Sequence, residues 1–251
     1  MKIIALANQK GGCGKSTSTV NIGAGLSMLG KKVLVVDIDP QAHLTYSLGL
    51  AAHEMEKTVY ELLKGEARAK EVIQERGSLK VIPANLNLSG AEIELSGMAG
   101  REFLLKEALD EMAEKFDYIL IDCPPSLGLL TLNALTTAHD VYIPLQSEFL
   151  ALQGMSKLIQ TVEIVQKRLN RYLKITGIIA IRYDARKKLN KEVVEKIKEY
   201  FGTEKIFKTM IRDNISLAEA PGFGQTIFEY KPESYGAVDY KNLCKEILER
   251  N

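Results

Sequence analysis

Residues 8–17 read Asn8-Gln9-Lys10-Gly11-Gly12-Cys13-Gly14-Lys15-Ser16-Thr17. A short apolar run, Ile3–Ala7, precedes them. After them, residues 16–29 place Val20, Ile22, Leu26 and Leu29 at helical spacing. A strand, a glycine-rich turn and a helix that opens on Lys-Ser together make a phosphate-holding arrangement. The usual spacing, G-x-x-x-x-G-K-[ST], is met only at its end, by Gly14-Lys15-Ser16, because its first glycine would fall on Gln9. A variant fits: Lys10-Gly11-Gly12-x-Gly14-Lys15-Ser16, with Cys13 at the free position. Three glycines let backbone N–H groups turn inward around phosphate oxygens without side-chain clash. The helix beginning near Lys15 aims its positive dipole end at the same anion. Lys15 can reach the β- and γ-phosphates of a nucleotide, and Ser16 can offer its hydroxyl to magnesium. Lys10 is either solvated charge or a second cation near the γ-phosphate, where charge develops as the bond breaks.

Working outward, apolar runs alternate with helical patterns along the chain. Ile3–Ala7, Val33–Val36, Leu79–Ile82, Tyr118–Ile121, Val141–Leu145 and Ile175–Ile181 are short, rich in Ile and Val, and lack polar alternation. Strands covered on both faces have this pattern. Between them, residues 152–169 (Leu152, Met155, Leu158, Ile159, Val162, Val165, Leu169) and 190–201 (Val193, Val194, Ile197, Phe201) repeat at three and four. The alternation predicts an α/β fold: a single doubly wound, mostly parallel β-sheet with helices on both faces. No linker interrupts it, so residues 1–251 are expected to form one ATPase domain. Residues 50–78 and 84–100 are the least regular and are expected to be insertions at the rim of the sheet.

Net charge is +1, which gives no global field toward nucleic acid or membrane. No apolar run reaches the ~20 residues of a spanning helix. Cys13, Cys123 and Cys244 are scattered and odd in number, which fits a reduced, cytoplasmic setting and neither a disulfide framework nor a zinc site. The histidines, His43, His53 and His139, are dispersed and suggest no role.

A magnesium ion and an attacking water need carboxylates at the ends of neighbouring strands. Asp37-Ile38-Asp39-Pro40-Gln41 follows the second apolar run, with Asp37 and Asp39 expected on one side and Pro40 ending the strand. Asp122-Cys123-Pro124-Pro125 follows the Tyr118–Ile121 run. An apolar strand ending in Asp suits a magnesium-bound water. Either Asp could also cap a helix. Cys13 and Cys123 read best as small fillers of tight turns.

Taken together, the loop at 10–17, Asp37-x-Asp39-Pro40-Gln41 and Asp122-Cys123-Pro124-Pro125-Ser126 resemble the ParA/Soj partition ATPases. These belong to the deviant P-loop group that also holds MinD and the nitrogenase iron protein. The resemblance continues through 126–135, Tyr183-Asp184-Ala185-Arg186, Leu217-Ala218-Glu219-Ala220-Pro221 and Tyr235-Gly236-Ala237, nearly the whole chain. It implies ATP and Mg2+ as ligands, with the backbone of Gly11, Gly12, Cys13 and Gly14 around the phosphates. Lys10 would be the signature lysine that reaches a partner's nucleotide across an ATP-dependent homodimer. Lys15 would bind phosphate, Ser16 magnesium and Thr17 the α-phosphate. Asp39 would position the water and Asp122 would support the magnesium shell. Asn214 would contact adenine, with Pro221 nearby. The ATP-state dimer would bind duplex DNA non-specifically, and a ParB-type centromere-binding protein would stimulate slow hydrolysis. The protein would then be nucleoid-associated. Without an N-terminal DNA-reading extension, the chain is similar to the short, chromosomal-type branch.

Two departures stand out. Many Soj-like chains carry Pro-Arg-Asn-x-Arg where this one has Arg212-Asp213-Asn214-Ile215-Ser216, so Asp213 and Ser216 replace two basic residues. His43-Leu44 stands where Asn-Ala is common. Basic residues still gather at Arg182, Arg186, Lys187, Lys188 and Lys191, and again at Lys157, Lys167, Arg168, Arg171 and Lys174. Charge runs of this kind are usually solvated helix faces. The resemblance turns the first run, with Arg212, toward a phosphate backbone.

Three other readings compete. A MinD-like membrane switch would need an apolar tail, but the stripe Tyr240, Leu243, Cys244, Ile247, Leu248 reads as packing on the domain. An iron–sulfur reductase would need two cysteines per chain near the switch, and only Cys123 is so placed. A cargo-positioning ATPase scaffold that does not bind DNA is compatible with the same residues.

Overall fold

A computed structural model describes residues 1–112, 115–147 and 151–250, with side chains from 155 onward in the last segment. Leu152, part of the helical pattern above, lies outside the described side chains.

The strands are β1 (Lys2–Leu6), β2 (Val33–Asp37), β3 (Gln74–Arg76), β4 (Leu79–Ile82), β5 (Tyr118–Asp122), β6 (Asp140–Gln146) and β7 (Lys174–Ile181). They form one seven-stranded sheet in the order β3-β4-β2-β5-β1-β6-β7. All pairings are parallel except β3 with β4. Each apolar run expected to be a strand is one, with ends that differ by at most one residue.

β3 was not expected. It lies in the stretch 50–78, turns back through Gly77 at φ 59° and pairs Arg76 with Leu79. Its sequence, Gln-Glu-Arg, has no apolar period to read, because an edge strand of three half-exposed residues buries too little to need one.

Period-two alternation divides each central strand between two cores. Ile3, Ala5, Leu34, Val36, Ile119 and Ile121 face one core. Ile4, Leu6, Val33, Val35, Tyr118 and Leu120 face the other. The first core is covered by α3 (Leu129–Thr137), α4 (Ala151–Arg168) and α5 (Lys188–Phe201). The second is covered by α1 (Lys15–Met28), α2 (His43–Ser47) and α6 (Tyr235–Arg250).

α1 is buried on most of its surface, including Ser18, Thr19 and Asn21. Its polar side chains therefore need partners. The Thr19 hydroxyl donates to the Lys15 carbonyl at 3.0 Å, and the Ser18 and Tyr240 hydroxyls lie 3.0 Å apart. That second contact locks α6 to the helix that carries the glycine loop. Tyr240, Leu243, Cys244 and Ile247 are buried against α1, as the packing reading of the C-terminal stripe expected. Among the described residues no helix is long and apolar enough to cross a membrane.

Tyr240→Phe leaves the Ser18 hydroxyl buried and alone, which costs about 1–2 kcal/mol. Adding Ser18→Ala removes the orphan and should recover part of that loss. Urea unfolding of the three variants checks this, and equal stability of wild type and Tyr240→Phe would contradict it.

Candidate functional site: a phosphate cradle beside buried carboxylates

The glycine loop leaves the C-terminal end of β1, between β5 and β6, and enters α1 at Lys15. Open parallel sheets bind ligands in this kind of crevice. Gly12 and Gly14 have φ of 67° and 75°, a left-handed conformation that side chains resist. A Cβ on Gly14 would sit 2.7 Å from Ile181 Cδ1, whereas Gly11 and Gly12 face open space. The loop is thus tight at its base and clear where an anion would approach. Lys15 is buried beneath it. Cys13 is also buried, and burial pushes its thiol up, so it fills the turn as an inert residue.

β6 braces the loop through side chains that the sequence reading passed over. Asn8 Nδ2 donates to the Pro144 carbonyl at 2.7 Å, and Asn8 Oδ1 accepts from the Lys10 N–H at 3.0 Å. Gln146 Nε2 donates to the Gly12 carbonyl at 2.9 Å, while its Oε1 accepts from Lys10 Nζ at 2.9 Å. The available signal was positional, since both residues are polar and sit at the ends of apolar strands.

The two acidic segments lie side by side, with Asp37 on β2 in register with Asp122 on β5. Their roles differ from the simple alternation picture. β2 ends at Asp37, before Pro40. The Asp37 carboxylate accepts from the Asp39 N–H (3.1 Å), the Thr45 N–H (3.0 Å) and the Thr45 hydroxyl (2.7 Å). Asp37 therefore anchors α2 and shapes the turn. Asp39 is buried two residues beyond the strand, its Oδ1 accepting from the Gln41 N–H at 2.9 Å.

Asp122 is fully buried, and neither carboxyl oxygen has a hydrogen-bond partner among the described residues. Burial pushes it well above the usual carboxylate range, and the Asp37 charge adds to this. The Ser16 hydroxyl and the Lys15 charge act in the other direction. Burial also pushes Asp37 up, against the bonds from Thr45. A buried carboxylate without donors is costly unless a cation meets it. Among the described residues no three His, Cys, Asp or Glu side chains cluster as a metal cage. Magnesium needs none, because it takes one or two carboxylates and otherwise binds water and phosphate oxygens. Asp122, Ser16 and Asp39 fit that requirement.

Beside the loop lies a cleft of about 550 Å³ lined by Gly12, Gly14, Thr17, Arg182, Asn214 and Tyr240, among others. Thr17 and Asn214 both line it. Asn214 Oδ1 accepts from the Ser216 N–H at 2.9 Å. Pro221 lies in the turn Ala220–Phe223, outside the lining.

Four of the five basic residues assigned to DNA meet acids within the chain. Arg182, at φ 51°, and Arg212 both line the cleft. Arg182 Nε lies 3.4 Å from Asp213, the acid at one of the departing positions. Arg212 grips Asp239 through contacts of 2.6–3.1 Å and lies 4.1 Å over the Tyr235 ring. Arg186 chelates Asp184 at 3.0 Å through both Nε and Nη2, and Lys188 is 3.5 Å from Glu192. Lys187, just before α5, makes no ion pair among the described residues. The exposed pairs are weakly held and screened by salt. The Arg212–Asp239 pair, with its carboxylate buried, is structural.

An AAA domain family model matches residues 1–175. The chain is 49% identical over 248 residues to the sporulation initiation inhibitor protein Soj of Bacillus subtilis, covering 98% of each chain. It is 47% identical over 252 residues to the chromosome-partitioning ATPase Soj of Treponema pallidum, covering 100% of this chain and 98% of that one. The chain belongs to the ParA/Soj family of partition ATPases. Among solved structures, a cobyrinic acid a,c-diamide synthase of Mycobacterium smegmatis, with an ATP analogue and magnesium bound, matches with a TM-score of 0.89. It is 36% identical, and the match covers 100% of this chain and 95% of that one. Family membership extends over residues 176–251, so the Asn214 side of the cleft falls within the shared region.

The unpartnered Asp122 gives a stability prediction with a definite sign. Its folded-state carboxyl titrates above its unfolded value, so stability is full at low pH and is lost as pH rises through the folded value. Without added metal or nucleotide, Asp122→Asn should melt about 2–6 °C above wild type at pH 8, with a smaller gap at pH 5. A lower melting temperature for the variant at pH 8 would contradict this account.

Proposed function

We propose that the chain is an Mg-ATP-driven switch that dimerises on ATP, binds duplex DNA without sequence preference in that state, and moves chromosome or plasmid DNA with a ParB-type partner. The observation that carries the ATPase part is the open glycine cradle with Lys15 beneath it and the unpartnered Asp122 carboxylate beside it. Family membership supports the partition part.

In this reading the backbone N–H groups of Gly11 to Gly14 and the Lys15 ammonium hold the β- and γ-phosphates. Thr17 meets the α-phosphate and Asn214 the base. Ser16, Asp122 and Asp39 would hold magnesium. When bound, magnesium neutralises charge on the β- and γ-phosphate oxygens. Asp39 orients the attacking water, and the Asp37–Thr45 bonds keep it aimed. Lys10 rests on Gln146 in the single chain. On dimerisation it swings to the γ-phosphate of the partner's nucleotide and stabilises charge as the bond breaks. Hydrolysis is slow until the partner protein completes the site, and the ATP state places the protein on the nucleoid.

A second reading, a cargo-positioning ATPase that does not bind DNA, draws on the acids at Asp184, Asp213 and Asp239, which meet three of the arginines assigned to DNA. One experiment separates the two. Asp39→Ala should retain ATP binding, lose hydrolysis by about a hundredfold and trap the dimer. That variant should bind duplex DNA with ATP and not with ADP, with affinity falling steeply as salt rises. DNA-independent behaviour with dimerisation intact would establish the second reading. Normal hydrolysis would remove Asp39 from its assigned role. Adding Lys10→Ala should abolish the dimer while sparing ATP binding by the single chain.

A further inference from the structure

Arg76 ends β3, the edge strand that the sequence pattern did not mark. Its Nε donates to the Leu48 carbonyl at 2.9 Å, and its Nη2 to the Gly224 carbonyl at 2.9 Å. Its Nη1 lies 3.1 Å from Glu229 Oε1. These partners belong to separate segments of the chain, and none of them lines the cleft. Leu48 closes α2, which follows Asp39 and is bolted to Asp37 through Thr45. Gly224 closes the turn after Ala220–Phe223, downstream of Asn214. Next to this guanidinium the two backbones touch. Gly49 and Gly224 have φ of 72° and 63°, and a Cβ on Gly224 would sit 2.6 Å from Gly49 Cα. Glu229 extends the link to the phosphate loop. It lies in the short helix Ile227–Tyr230, whose first N–H donates to Asn21 Oδ1 at 2.9 Å. Asn21 Nδ2 in turn donates to the Thr17 carbonyl at 2.8 Å.

We propose that Arg76 is a positioning residue that couples occupancy of the base side of the cleft to placement of the Asp39 segment. The inference rests on the nucleotide reading of the cleft. A base against Asn214 orders residues 214–224. Because the Gly224 and Leu48 carbonyls share one rigid guanidinium, that order passes to α2 and to the Asp37–Asp39 turn. A lysine has the charge but not the planar fork, so it cannot serve both carbonyls and Glu229 at fixed angles.

The test is hydrogen exchange on the full chain with and without magnesium and ADP, beside calorimetric ADP affinity. In wild type, ADP should slow exchange in 43–50 about fivefold or more, although none of these residues lines the cleft. In Arg76→Lys, ADP should bind within about threefold of wild type, protection of 43–50 should be largely lost, and single-turnover hydrolysis should fall about tenfold. Glu229→Gln keeps both carbonyl bonds and should keep the protection. ADP binding to wild type with no change in 43–50 overturns the coupling without needing any variant. Full protection in Arg76→Lys overturns it as well. Failure of wild type to bind ADP at all would remove the nucleotide reading and the coupling with it, an outcome that calorimetry distinguishes.

Discussion

Two carboxyl groups held out of water at the ends of β2 and β5 are the constraint around which this molecule is arranged. Asp37 and Asp122 are fully buried neighbours in register, and Asp39 is two residues beyond. Lys15 is the one buried lysine among the described residues, and it lies within their field. The protein supplies Asp37 with three donors and Asp122 with none. That asymmetry divides structure from function. The satisfied carboxylate fixes the backbone, and the unsatisfied one is the group proposed to hold magnesium.

Parallel topology makes this possible. β1, β2 and β5 all end on the same edge, so a glycine loop from one strand and carboxylates from the other two converge without long connections. The loop needs a rigid floor, because left-handed glycines alone would leave it mobile. Asn8 and Gln146 supply that floor by tying the loop to β6, and the buried hydroxyl pair of Ser18 and Tyr240 fixes α1 from the opposite side. Much of the polar bonding in the second core serves to hold the cradle still.

The parts legible in sequence were those fixed by local periodicity or by a loop whose chemistry is confined to a few consecutive residues. Apolar runs without polar alternation marked the six parallel strands, and residues 10–17 announced the cradle. Asp122 was legible because it terminates such a run. What escaped depended on contacts distant along the chain. Gln146 meets Gly12 across 134 positions and Arg76 meets Gly224 across 148, and no window of sequence contains both ends. The separate duty of Asp37 was also hidden, because alternation predicts the side a residue faces and not the donors that await it there. The basic residues were visible as a run, yet their pairing with Asp184, Asp213 and Asp239 depended on the fold.

The unpartnered Asp122 carboxylate and the glycine cradle are proposed to form one magnesium–nucleotide site. Calorimetric titration of ADP into the wild-type chain, with magnesium and then with a chelator in excess, tests it most directly. Binding near one nucleotide per chain is expected, weakening by about tenfold or more when magnesium is withdrawn. Equal affinity in both conditions would show that Asp122 and Ser16 do not take part in holding the ligand, and would contradict the account.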